Sequence, residues 1–239
     1  MKKKKSQNDY SFVEHLEELR KRIIFVIIFW TITSLISYFF SKEILEFLII
    51  PLKKYQKNVI FTRPLEPFFS VLKICVFTGG IITLPYLIIQ TYLFVLPALT
   101  KKEKKMVKLI ASFFPFLFFS GMFFTFYIIV PLGLKVLFSF GKGIIVPFVT
   151  IGYYLNFLLM FMILIGLIFN LPVFLGGLAG MGLVKSSFLR KKRKYAIVGA
   201  FILSAIITPT TDMITQLFVA IPLIFLYEIS IIFVKIFET

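Results

Sequence analysis

Residues 23–40 read Ile23-Ile24-Phe25-Val26-Ile27-Ile28-Phe29-Trp30-Thr31-Ile32-Thr33-Ser34-Leu35-Ile36-Ser37-Tyr38-Phe39-Phe40, without a charge. An uncharged apolar run of this length reads as a helix crossing a bilayer core of about 30 Å. Lys2 to Lys5 and the polar Ser6-Gln7-Asn8-Asp9 precede it. Its far end, Ser37-Tyr38-Phe39-Phe40, has no small-residue cleavage pattern, so the run reads as a retained span and not a removable signal peptide.

The rest of the chain agrees with that run. Of 239 residues, 59% are hydrophobic and 16% charged, against about 45–50% and about 25% in soluble domains. The net charge of +16 and pI near 9.9 would allow a nucleic-acid partner. The 32 Phe and few charges leave no soluble surface for one. With a single cysteine, Cys75, no intrachain disulfide can form.

Outward from residues 23–40, further apolar stretches run over 68–99, 109–132, 153–180, 196–208 and 213–234. Pro209-Thr210-Thr211-Asp212 reads as a turn between the last two. The expectation is an all-α integral membrane protein of six spans, forming a single domain over 1–239. Residues 1–22 make a cytoplasmic amphipathic segment, 23–234 the bundle, and 235–239 a cytoplasmic tail.

Cation placement sets the orientation. Nineteen of the 27 Lys and Arg fall in the N-terminal segment, 101–108, 185–194 and Lys235, against seven in the alternate loops, with Lys73 inside a span. Both termini are therefore expected in the cytoplasm. Residues 196–208 number 13, about 20 Å of helix, so the last two spans should be short. Pro85, Pro115, Pro172 and Pro222 favour kinks, so the bundle should be bent and concave. Gly176 and Gly180, with Gly177 and Gly182, predict a close internal helix crossing.

Several chemistries are excluded. There is no phosphate-binding Gly-x-x-x-x-Gly-Lys-Ser/Thr loop. With His15 and Cys75 alone of their types, no Cys/His metal set or His-containing triad can be built. No internal repeat supports an inverted-repeat transporter. The expectation is a non-enzyme without cofactor or metal.

Three features could carry function. In Phe12 to Arg22, the residues Phe12, Leu16, Leu19 and Ile23 form a helical apolar stripe. Glu17–Lys21 and Glu18–Arg22 stand at i,i+4 in the favourable order. A salt-bridged surface helix is one reading. The other is that Asp9, Glu14, Glu17, Glu18 and Glu103 are nearly all the acids on a strongly basic face, so a cationic ligand must use them. In Leu96-Pro97-Ala98-Leu99-Thr100-Lys101-Lys102-Glu103-Lys104-Lys105, one carboxylate stands among four lysines. It is either part of a solvated basic loop or a seat for a guanidinium, whose planar fork an ammonium cannot match. Lys73, Gln90, Asn156, Asn170, Gln216 and Glu228 are polar at membrane depth, either for packing or for function.

These residues resemble a known family. His15-Leu16-Glu17-Glu18-Leu19-Arg20-Lys21-Arg22 is similar to the N-terminal signature of TatC, the multispanning component of the twin-arginine protein translocase. The resemblance continues, in order, through Pro64-Leu65-Glu66-Pro67-Phe68, Leu96-Pro97-Ala98-Leu99 with Glu103, Asn170-Leu171-Pro172-Val173, Thr208-Pro209, Asp212 to Gln216, Ala220-Ile221-Pro222-Leu223 and Tyr227-Glu228. It implies a glove-shaped, six-span bundle in a bacterial inner membrane, with an organelle membrane as the alternative. The implied function is a receptor for Arg-Arg signal peptides of folded proteins. It would nucleate a translocase with TatA/TatB-type single-span partners, draw on the proton-motive force and self-associate.

The resemblance assigns the arginine contact to Glu18 and Glu103, with Leu16, Glu17 and Arg20 in the same signature. Pro51, Pro67 and Phe68 match needed positions around the first external loop. Asn170, Gln216 and Asp212 match polar positions on the partner side. Where the family usually carries Glu or Gln, this chain has Asn170, an amide that does not titrate. An ion-coupled small-solute transporter is the competing reading. It would need an acidic cluster at the midplane, where the sequence offers only Asn170 and Gln216.

Overall fold

The computed structural model describes residues 7–56, 59–139, 149–207 and 213–237. Among them, regular structure is helical apart from one parallel bridge between Ile60 and Thr150. The helices are α1 (Gln7–Phe39), α2 (Ser41–Leu48), α3 (Ile50–Lys53), α4 (Glu66–Val95), α5 (Lys101–Phe124), α6 (Val130–Leu137), α7 (Ile151–Ile168), α8 (Leu171–Gly180), α9 (Ser186–Lys191), α10 (Arg193–Ile207) and α11 (Met213–Phe237).

From Gln7 the N-terminal segment runs without a break into the first span, and the two form α1, a single helix of 33 residues, about 50 Å long. Five stretches are long and apolar enough to cross a membrane: Glu14–Phe39, Glu66–Val95, Glu103–Leu137, Ile151–Gly180 and Gln216–Phe237. The fifth expected span is α10, a helix of 15 residues. At about 22 Å it falls short of the roughly 30 Å core. The expected turn at 209–212, with Asp212, lies outside the described residues.

Prolines shape the helices in two ways. Pro85, Pro115 and Pro222 sit inside continuous helices. Pro172 instead starts α8, so the expected fourth span is two helices broken at Phe169-Asn170. A proline ring clashes with the carbonyl four residues back, and for Pro172 that is Ile168, the last residue of α7. Pro131 acts likewise on Tyr127, which lies in the π-turn Thr125–Ile129 joining α5 to α6.

α1 runs antiparallel to α4, and α5 to α7 and α8, while α4 and α7 run in the same direction. α1 packs along α4, where the Thr33 and Thr83 hydroxyls share a hydrogen bond of 3.0 Å and the Trp30 indole N–H donates to the Val76 carbonyl at 2.9 Å. α5 meets α7 where a Cβ on Gly121 would lie 2.8 Å from the Gly166 Cα. The crossing expected at the glycines of α8 is present: a Cβ on Gly177 would strike Ile110 of α5, and one on Gly176 would lie 3.2 Å from Phe237 of α11. The main core gathers Leu48, Leu52, Ile74, Phe118, Leu155 and Leu158. The outer face of α1, with Phe25, Leu35 and Phe39, stays exposed, as a lipid-facing surface should.

Candidate functional site

Glu103 owes its position to a helix start. Pro97 lies in a 3-10 turn, Leu96–Ala98, that closes α4, and Thr100 then caps α5. The Glu103 Oε2 accepts from the Thr100 N–H and hydroxyl, both at 2.8 Å, while the Thr100 Oγ1 accepts from the Glu103 N–H at 3.4 Å. This reciprocal capping box satisfies donors that a helix N-terminus leaves orphaned. Glu103 stands six residues ahead of the apolar stretch at Leu109. The Thr100 backbone N–H, and then its hydroxyl, hold the Glu103 carboxyl below the ordinary carboxylate range. It is present as an anion.

Glu18 is held from the other side. Arg22 donates from Nε and Nη2 to Glu18 Oε1, at 2.9 and 2.6 Å, and from Nη1 to the Gln90 Oε1 of α4 at 2.8 Å. His15 stacks on Phe94 of α4 with ring centroids 4.2 Å apart, and its Nδ1 lies 3.9 Å from Glu18 Oε2. Gln90 and Phe94 are four apart and share a face of α4. They clip the start of α1 to the end of α4, five residues before α5 begins. Glu18 and Glu103 thus occupy the same end of the bundle, and no hydrogen bond joins them among the described residues. The Glu17–Lys21 ion pair does not form there: both residues are exposed. Leu16 and Arg20 are exposed as well.

Pro51, Pro67 and Phe68 lie at the opposite end. Pro51 is buried in α3, Pro67 opens α4, and Phe68 is 58% exposed with its ring edge-on to Phe69. Glu66, which the sequence reading did not single out, organises this end. Its Oε2 accepts from the Thr62 N–H at 2.9 Å and the Arg63 N–H at 3.4 Å, and its Oε1 from the Gly152 N–H at 2.8 Å. Gln56 makes a parallel tie, exchanging two hydrogen bonds with the Val149 backbone.

The intramembrane polar residues have separate partners. Lys73 donates to Asn156. Gln216 donates to the Phe201 carbonyl at 2.9 Å, joining α11 to α10. Glu228 pairs with Arg193 at 2.7 Å. Asn170 is 5% exposed. Its side-chain amide N–H donates to the Gly166 carbonyl within its own helical segment, and its Oδ1 has no partner among the described residues. These residues do not form one midplane cluster, so the transporter reading gains no support.

The fold and site define a polytopic membrane protein that presents two carboxylates, Glu18 and Glu103, at one basic end. Residues 14–222 match the family model for TatC, the Sec-independent protein translocase protein, and the chain belongs to that family. It is 38% identical over 222 residues to the Sec-independent protein translocase protein TatC of Carboxydothermus hydrogenoformans, covering 93% of this chain and 91% of that one. An uncharacterized tatC-like protein of Gracilaria tenuistipitata var. liui is 35% identical, covering 95% of each. A crystal structure described as the twin arginine translocase receptor TatC superposes with a TM-score of 0.78 at 36% identity, covering 94% of this chain and all of that one. The chain is accordingly a non-enzymatic, multi-pass component of the Sec-independent translocase of bacterial inner membranes.

Proposed function

We propose that this chain is the signal-peptide receptor of its translocase, with both termini in the cytoplasm and α10 as the short fifth of six spans in a concave bundle. The observation that carries the reading is the state of Glu18, which already holds a guanidinium through two N–H groups on one oxygen. That pocket accepts the chemistry of a signal-peptide arginine. Glu103, an anion at the same end, supplies a second seat. Glu18 Oε2, 3.9 Å from His15 Nδ1, and Glu103 Oε1 stand outside these hydrogen bonds and would take the incoming fork.

Hydrogen bonds to charged groups contribute about 1.5–3 kcal/mol when shielded, and solvent exposure lowers that. The surrounding lysines repel generic polybasic segments, so a planar fork on a carboxylate is favoured over an ammonium. The apolar segment of the signal peptide would then lie along the bundle. Asn170, Gln216 and Asp212 would contact TatA/TatB-type single-span partners, and a second copy of this chain would join the assembly. The proton-motive force would drive transport, without Asn170 as a proton carrier.

Crosslinking of an Arg-Arg signal peptide to the membrane-embedded protein tests the site. Glu18→Ala and Glu103→Ala should each reduce it. If neither does, while a Lys-Lys signal still fails, the arginines bind elsewhere.

A further inference from the structure

Two cavities meet at the Glu66 end of the bundle, far from Glu18 and Glu103. The outer one, about 680 Å³, has Arg63, Glu66, Ser70, Lys73, Tyr153 and Asn156 in its wall. The inner one, about 520 Å³, is walled by Trp30, Val76, Gly80, Leu84, Met160 and Ile163 among others. Lys73 and Asn156 line both, so the two cavities adjoin at that hydrogen-bonded pair.

The outer cavity is cationic. Glu66 spends both its oxygens on the Thr62, Arg63 and Gly152 donors. Among the described residues neither Arg63 nor Lys73 has a carboxylate partner. Lys73 donates to the neutral Asn156, and an ammonium has three donors. A cation at this depth is costly without a counter-charge.

The inner cavity is apolar and narrow. Its walls run from Lys73 to Leu84 on α4 and from Asn156 to Leu167 on α7, about 16 Å along each helix. That is one leaflet of a core about 30 Å thick. An extended hydrocarbon chain fits.

We infer that the paired cavities are a binding site for an anionic phospholipid, its phosphate against Lys73 and Arg63 and one acyl chain between α4 and α7 beside Trp30. A cationic mouth over a leaflet-deep apolar slot matches that amphiphile end for end. The site stands apart from the arginine-docking carboxylates and does not depend on them.

Trp30 is the single tryptophan of the chain and a natural reporter. The full-length protein is placed in phosphatidylcholine vesicles containing a minor fraction of brominated phosphatidylglycerol or of brominated phosphatidylcholine. The anionic lipid should quench Trp30 more at equal mole fraction. Lys73→Gln should reduce that preference about fivefold, the attraction one cation contributes to an anionic lipid. Arg63→Gln should reduce it too, and Lys135→Gln, outside both cavities, should leave it unchanged. An unshifted Trp30 emission maximum certifies that each variant is folded, and Arg63→Gln carries the test if Lys73→Gln misfolds. Equal quenching by the two lipids overturns the assignment. So does a preference that survives both substitutions or falls equally with Lys135→Gln. Equal quenching by the two lipids that an added apolar peptide removes assigns the slot to peptide and also overturns it.

Discussion

Arg22 places two nitrogens on a single oxygen of Glu18, at 2.9 and 2.6 Å, and its third on Gln90. The residue proposed to receive a signal-peptide arginine therefore already holds one from its own helix. An incoming guanidinium must displace Arg22 or share Glu18 with it.

Removing this internal competitor should strengthen binding. A half-exposed ion pair contributes about 0.2–1 kcal/mol, so Arg22→Gln should raise crosslinking of an Arg-Arg signal peptide by roughly 1.4- to fivefold. Glu18→Gln should lower it. A titration of peptide against both variants decides the matter. If Arg22→Gln weakens binding as much as Glu18→Gln, then Arg22 orients the carboxylate and does not compete for it.

Glu103 has two roles that one pair of variants separates. Gln serves in a capping box as Glu does, so Glu103→Gln should keep the start of α5 while removing the charge. Its melting temperature in detergent should match the wild type, and its signal-peptide crosslinking should fall. Thr100→Ala removes the cap and should destabilise the helix start by about 1 kcal/mol while leaving the carboxylate. Loss of crosslinking in Thr100→Ala alone would mean that placement of Glu103, and not its charge, matters.

At the other end, Glu66 ties the Thr62-Arg63 turn to the first turn of α7 across 86 positions of sequence. Glu66→Ala leaves the Thr62 and Gly152 amides without that acceptor. Both should lose hydrogen-exchange protection, while amides of the α1–α4 crossing near Gly79 keep theirs. Unchanged exchange at Gly152 would show that the Gln56–Val149 exchange of hydrogen bonds holds the two loops by itself.

Local signals in the chain announced some of this and hid the rest. The uncharged run 23–40 marked α1 because hydropathy over a bilayer-spanning length is a property of contiguous residues. The short α10 and the glycine crossing at Gly176–Gly180 were legible for the same reason. The Thr100-x-x-Glu103 capping box stood in plain view, but its lysines drew attention to charge and not to helix geometry. Gly121 and Gly166 gave no sign of each other, because a contact between residues 45 apart depends on how two helices cross. Glu66 read as part of a motif because its partner Gly152 is an ordinary backbone N–H. Pro172 favours a kink, and its ring, set against the Ile168 carbonyl, opens a two-residue turn between α7 and α8 within the one spanning stretch Ile151–Gly180.

Asn170 provides the last test, because its buried Oδ1 lacks a partner among the described residues and an unsatisfied buried acceptor costs about 1–3 kcal/mol. A side chain kept for packing alone would be stabilised by losing that atom. Asn170→Leu should therefore leave the melting temperature equal or higher. If the orphaned oxygen is the contact for a single-span partner, the same variant should recover less TatA/TatB-type protein on co-purification, and Asn170→Gln should restore part of it. Changing the pH across the carboxylate range should not alter recovery through this site, because an amide does not titrate. Full recovery by Asn170→Leu would remove Asn170 from the partner surface and leave Gln216 as the polar contact to examine there.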